Sequence, residues 1–186
     1  MKLRGEEIQR KILHGFTGII YPAGIVMIPR YVHGIAGLPT SIPSWAYPVI
    51  LLGAIQIFFF VMEYLRFRNP AVQKLVLASI GGMMRKEESV KLTGATYINA
   101  AALICALVFK DSPHITVMVL STFIWGDAAA ALAGQSFGKT KIGSKSLEGS
   151  LACFALCMIM FLVGFPAIPG LLDPWAGKMP FLVALV

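Results

Sequence analysis

Between Trp45 and Tyr64 the chain reads WAYPVILLGAIQIFFFVMEY, an apolar run whose single charge, Glu63, stands next to its end. A helix needs about 20 predominantly apolar residues to cross the hydrocarbon core of a bilayer, and this run reaches that length without a break. Its apolar residues do not alternate as on a half-buried strand, nor keep to one stripe as on a soluble helix. Lipid is the solvent such a segment suits, with Trp45 and Tyr47 as anchors at the interface.

The rest of the chain repeats the pattern. The sequence is 57% hydrophobic and 13% charged, with a mean hydropathy of +0.76, where a soluble domain carries about a quarter charged residues. A first span is expected from about Ile12 to Ile28, ending near Pro29-Arg30, with a Gly/Pro-rich loop after it. The run from Trp45 to Tyr64 is the second. A polar stretch from Arg66 to Lys91 follows, and its middle, AVQKLVLASIGGMM, suits a short amphipathic helix lying on the membrane. A third span is expected from Leu92 to Phe109, a fourth from His114 to Gly134 and a fifth from Leu147 to Phe165. Met179 to Val186 starts a sixth but is too short to cross. The opening MKLRGEEIQRKILHGF is basic and then apolar, as a signal peptide is. Glu6 and Glu7 interrupt its basic part and no small-x-small cleavage pattern follows, so it reads as a retained span. The expectation is an all-α, polytopic transmembrane helical bundle, five full spans plus a partial sixth, forming one domain over residues 1–186.

Positive charge orients this bundle. Lys2, Arg4, Arg10 and Lys11, then Arg66, Arg68, Lys74, Arg85, Lys86 and Lys91, then Lys139, Lys141 and Lys145 all fall on one side of the predicted spans. They are thirteen of the sixteen Lys and Arg residues; only Arg30, Lys110 and Lys178 fall opposite. By the positive-inside rule the N-terminus and the loops at about 66–91 and 135–147 are cytoplasmic. The same rule accounts for the net charge of +7, and no aromatic-interleaved basic stripe or nucleic-acid motif points to nucleic acid. Cys105, Cys153 and Cys157 lie inside apolar runs and read as small packed hydrophobes.

The remaining polar groups gather on that side. His14 opens the first span, Glu63 closes the second, Glu87 and Glu88 precede the third, and Glu148 opens the fifth. Asp127 lies within the fourth span, about two to three turns from its inner end. An aspartate at such depth costs about 2.5–3.5 kcal/mol on insertion scales and normally faces a polar cavity or partner. The small residues from Ala128 to Gly134 allow close helix packing and leave room beside it. The loop after Gly134 carries Gly138, Lys139, Lys141, Gly143, Lys145, Ser146, Glu148 and Gly149. Glycines free backbone N–H groups to face an anion, lysines add charge, and a helix N-terminus at Ser146 is itself anion-favouring. Gly138-Lys139-Thr140 is not a phosphate-binding Walker loop, because Ala133 stands where the upstream glycine is required. An acid near a Gly/Lys loop suits a Mg²⁺–phosphate complex.

These residues resemble a family signature. Trp125-Gly126-Asp127-Ala128-Ala129-Ala130, Gly134, Phe137-Gly138-Lys139 and Lys145-Ser146-Leu147-Glu148-Gly149-Ser150 are similar to the polyprenol and lipid kinases, which comprise dolichol kinase, phytol kinase and CTP-dependent diacylglycerol kinase. Arg10-Lys11 and His14 resemble the family's N-terminal pattern, and Glu63-Tyr64-Leu65-Arg66 and Arg85 with Glu88 before Gly94 fall in the right order. The family also carries an acidic, Asn-containing motif in later spans, which this sequence does not reach by Val186.

The resemblance implies transfer of the γ-phosphoryl group of CTP to a lipid alcohol (diacylglycerol, a polyprenol or phytol), with Mg²⁺ as cofactor. Asp127 would bind Mg²⁺ or orient the hydroxyl. Lys139 and Lys145 would hold the triphosphate with Lys141, Ser146 and Gly134 nearby, and Gly138 and Gly149 would allow close backbone approach. Glu148, Glu63 and Glu88 would bind metal or fix basic side chains, and Arg10, Lys11, His14, Arg66 and Arg85 would support them. Competing readings are a phosphatidate cytidylyltransferase, for which paired acids holding two metals are expected, and a transporter or a subunit of a larger complex. The lone Asp127 in the fourth span speaks against the first, and acids gathered at one face speak against a path across the membrane.

Overall fold

The computed structural model describes residues 5–32, 41–81, 84, 86–143, 145–168 and 171–172, with side chains throughout except at 5–14, 30, 32, 80, 86 and 87. Its helices are α1 (Gly5–Val32), α2 (Ala46–Arg68), α3 (Pro70–Ile80), α4 (Gly94–Val108), α5 (Pro113–Ser136) and α6 (Leu147–Ile159). A short 3₁₀ turn covers Lys86–Ser89, and α6 continues as a π-helical stretch over Met160–Gly164.

The helix boundaries follow from local chemistry. Pro70 disfavours helix at the residue before it, so α2 stops at Arg68 and Asn69 turns extended. The Asn69 side chain then accepts from Ala71 N at 2.9 Å and caps α3. Pro113 occupies the first turn of α5, where its missing N–H costs nothing. Pro22 and Pro29 lie inside α1; a bundle helix tolerates the lost donors when its neighbours pack around it.

Side-chain contacts set the directions. Glu63 meets Thr93 and Thr96, while Leu52 and Gln56 meet Asn99, so α2 and α4 are antiparallel. Gly18 faces Ile124 and Trp125, and Ile25 packs near Leu120, so α1 and α5 are antiparallel. Gly126 faces Cys153 and Cys157 while Gly134 faces Gly149, so α5 and α6 are too. The starts of α1, α4 and α6 therefore share one end of the bundle with the ends of α2 and α5. α5 is the central helix: it packs on α1, α4 and α6, and 44% of its apolar window is buried, against 22% for α2 and 6% for the helix after Leu147.

Ile25, Leu52, Ala102, Ala106 and Leu120 form a core contributed by α1, α2, α4 and α5. Val117 and Met118 form a second with Phe165 and Leu171 toward the opposite end. Between α1, α2 and α4 runs a polar chain. Tyr21 OH donates to Asn99 Oδ1 at 3.1 Å, and Asn99 Nδ2 donates to Gln56 Oε1 at 2.8 Å and to the Leu52 carbonyl at 3.1 Å. Such interhelical bonds contribute about 0.6–2 kcal/mol in a membrane bundle and fix its register. Ile57, Phe58 and Phe60 on α2 and Phe154 and Ile159 on α6 are exposed, as rings and branches facing lipid would be.

The helical bundle agrees with the sequence reading, while helix length and composition support fewer than five full-length spans among the described residues. Among the described residues three helices, Ala46–Arg68, Pro113–Ser136 and Leu147–Gly164, are long and apolar enough to cross a membrane, while Gly15–Pro29 and Gly94–Val108 are shorter. The third predicted span loses its start because Thr93 N donates to Glu63 Oε1 at 2.8 Å and Gly94 N to Glu88 Oε1 at 3.1 Å, which holds Leu92-Thr93 outside the helix. The loop at 135–147 is not all irregular: Lys141–Ile142 (β1) and Lys145–Ser146 (β2) pair as a small antiparallel ribbon. The partial sixth span, Met179–Val186, lies outside the described residues.

Candidate active site

The candidate site is built where α5 ends and α6 begins. Asp127 and Gly134 are seven residues apart on α5, a spacing that drifts only about 20° round an α-helix. Both therefore lie on one face, with Asp127 half-buried two turns inside the helix end.

The glycines on that face make a tight helix crossing. A Cβ on Gly134 would stand 2.8 Å from Ser146 Oγ, and one on Gly149 would stand 2.7 Å from the Ala130 carbonyl oxygen. A Cβ on Gly138 would run into the Gly134 carbonyl oxygen and Ser146. Ser146 is buried and caps α6, its Oγ accepting from Gly149 N at 3.2 Å. The space that the absent side chains leave is thus taken up by Ser146 and by facing backbone.

Glu148, in the first turn of α6, reaches back to the loop. Its Oε1 accepts from Lys139 N at 3.1 Å and Thr140 N at 3.0 Å, and Leu147 N donates to the Thr140 carbonyl at 3.0 Å. The N–H groups of Lys139 and Thr140 are therefore directed at a carboxylate of the same chain. The ribbon beyond is closed through Gly143, whose φ of 60° is open to glycine at no steric cost. Its register pairs Lys141 with Ser146 and Ile142 with Lys145. Directly opposed residues share a face and neighbours in a strand do not, so Lys141 and Lys145 lie on opposite faces. Lys139, Lys141 and Lys145 are all exposed, as are Phe137 and Ile142 beside them.

A second constellation sits where α2 ends and α4 begins. Arg66 is buried, forms an ion pair with Glu63, and donates to the carbonyls of Glu88 at 2.7 Å and Lys91 at 2.8 Å. Glu63 also accepts from Thr93 N, and Glu88 from Gly94 N. The structure thus brings Glu63, Arg66 and Glu88 together as a brace on the turn before α4. Arg10, Lys11 and His14 lie on α1, but their side chains, like the whole of Arg85, lie outside the described residues. Among the described residues no group of three or more His, Cys, Asp or Glu side chains gathers that could hold a metal ion. Mg²⁺ in nucleotide sites is commonly held by one or two carboxylates together with substrate phosphates. Thr93, Thr96, Tyr21, Gln56 and Asn99 were absent from the sequence-derived candidates; isolated Gln and Asn inside apolar runs were the available signal.

An all-helical membrane bundle with an acid inside its central helix, beside a Gly/Lys loop, resembles lipid kinases of the diacylglycerol kinase and dolichol kinase type, and comparison with known proteins supports that resemblance. Over 159 residues, 82% of its length, the chain is 29% identical to CTP-dependent diacylglycerol kinase 1 of Saccharomyces cerevisiae, and the match covers 48% of that protein. The chain thus spans about half the length of the relative it matches. No family model matches the chain, and no solved structure matches it.

Proposed function

We propose that this chain is a membrane lipid kinase that transfers the γ-phosphoryl group of CTP to the hydroxyl of a lipid alcohol, with diacylglycerol the first acceptor class to test. The observation that carries this reading is the position of Asp127, an ionisable group inside the central helix on the face it shares with Gly134, at the end where the three lysines emerge. The name of the yeast relative supports both CTP and diacylglycerol. The Lys/Arg distribution supports a cytoplasmic placement of this end and five crossings.

In this reading the lipid hydroxyl reaches Asp127 from the leaflet, and the nucleotide reaches the lysine loop from the cytoplasm. Asp127 accepts the hydroxyl's hydrogen bond and takes its proton as the hydroxyl oxygen bonds to the γ-phosphorus. The bond from that phosphorus to the bridging oxygen breaks, and CDP leaves with the electron pair. Lys139, Lys141 and Lys145 offset the phosphate charge, which with positioning is most of what phosphoryl transfer asks of a protein. Mg²⁺ would supply charge neutralisation on the phosphoryl oxygens; a carboxylate that held it would be a poorer base, so Asp127 serves as its ligand only if the hydroxyl proton passes elsewhere. Arg10, Lys11 and His14, at the start of α1, belong to the same end, and with Arg85, expected on that side from its place in the sequence, they would add charge or hydrogen bonds there.

The test is to incubate the purified protein in vesicles with γ-labelled CTP and diacylglycerol, a polyprenol or phytol, with ATP in parallel. Label in the lipid is the expected result. Labelled pyrophosphate would instead indicate a cytidylyltransferase, and unconsumed CTP with every acceptor would remove the kinase reading.

A further inference from the structure

Glu148 is a strong candidate for metal ligand or base if judged by sequence, since it is an acid in the middle of a Gly/Lys motif. Its geometry assigns it other work. One of its oxygens accepts from two successive main-chain N–H groups, Lys139 and Thr140, and the other lies 3.4 Å from Thr140 N. The Thr140 carbonyl returns a bond from Leu147 N, and Ser146 caps the same turn. The loop root is thus stitched to α6 on both sides of Thr140, and Lys139, Lys141 and Lys145 all issue from that stitched segment.

We infer that Glu148 is a positioning residue: it clasps the lysine loop to the start of α6 through the N–H groups of Lys139 and Thr140, and neither ligates metal nor takes the substrate proton. Its catalytic consequence rests on the kinase reading; the clasp itself does not. The bonds need an acceptor oxygen and no charge, so an amide can replace the carboxylate. Because the N–H groups of Lys139 and Thr140 are committed to Glu148, they do not serve the triphosphate, and its recognition rests chiefly on the lysine side chains that the clasp holds in place.

Two readouts on the full chain, wild type against Glu148→Gln and Glu148→Ala, test this. The first is hydrogen exchange at Lys139 and Thr140. Both amides are protected in the wild type and in Glu148→Gln, and exchange about tenfold faster in Glu148→Ala, the scale of a lost hydrogen bond. The second is CTP-dependent lipid phosphorylation. Glu148→Gln keeps kcat/KM within about fivefold and leaves the Mg²⁺ dependence in place, while Glu148→Ala raises KM for CTP about tenfold with a much smaller change in kcat. A Gln variant as inactive as the Ala variant, a displaced Mg²⁺ dependence in the Gln variant, or equal exchange in all three proteins overturns the inference. If the exchange pattern holds and no lipid is phosphorylated by any of them, the clasp stands and the kinase reading falls.

Discussion

Glu63 and Glu148 lie at the same end of the bundle, and each accepts hydrogen bonds from main-chain N–H groups of a neighbouring segment: Glu63 from Thr93, Glu148 from Lys139 and Thr140. Their surroundings differ. Glu63 is shut away with Arg66, their side chains 7% and 2% exposed, and the pair holds the turn before α4 through Glu88 O, Lys91 O and Thr93 N. Glu148 sits among exposed lysines, of which only the Lys139 main-chain N–H takes part in its clasp. A buried carboxylate needs a charged partner to offset desolvation, whereas a half-buried one such as Glu148 can hold a loop and leave the surrounding cations available for a ligand. One device thus serves a structural joint in the first region and a candidate binding loop in the second.

The largest effect expected from this contrast is on the buried side. Arg66→Ala strands Glu63 without its partner and should destabilise the fold by about 3–5 kcal/mol, read as a lower unfolding midpoint in detergent. The double replacement Glu63→Leu with Arg66→Met should recover most of that loss, since a buried pair exchanged for apolar groups is often neutral. A single-variant cost below about 1 kcal/mol, the ordinary worth of a surface pair, would erase the distinction between the two carboxylates.

Gly138→Ala comes next. A methyl group there meets the Gly134 carbonyl and Ser146, and overpacking of this kind costs about 1–3 kcal/mol; the unfolding midpoint should fall and CTP turnover with it. The smallest structural effect is expected at Lys145. Lys145→Ala should leave the unfolding midpoint in place and raise KM for CTP about tenfold, the scale of one hydrogen bond to a charged group. Lys141→Ala, on the other face of the ribbon, should separate from it. Equal effects of the two would show that the ribbon does not present distinct faces to the nucleotide.

Much of this was readable in the sequence. The apolar run from Trp45 to Tyr64 became α2, Ala46–Arg68, and the predicted fourth span from His114 to Gly134 became α5, Pro113–Ser136. The fifth span was expected from Leu147, and α6 starts there with Ser146 as its cap. In each case local composition and capping chemistry decide the outcome. The start of α4 was not readable, because it depends on Glu63 and Glu88, residues distant in sequence that hold Thr93 and Gly94 from the side. The glycines were ambiguous for a related reason: the same residue type permits approach of a phosphate or of a second helix, and only the position of Ser146 against Gly134 and Gly138 distinguishes them. Asp127 stood out in the sequence because a charge inside an apolar span has few bland explanations.

The most direct test of the account is the fate of γ-labelled CTP with diacylglycerol vesicles, wild type beside Asp127→Asn. The account predicts label in the lipid with the wild type and a loss of about 10²–10³-fold in kcat for the variant, the scale of removing one preorganised group from a charge-developing site, with the unfolding midpoint unchanged. Label released as pyrophosphate, or lipid phosphorylation that proceeds equally in Asp127→Asn, would contradict it.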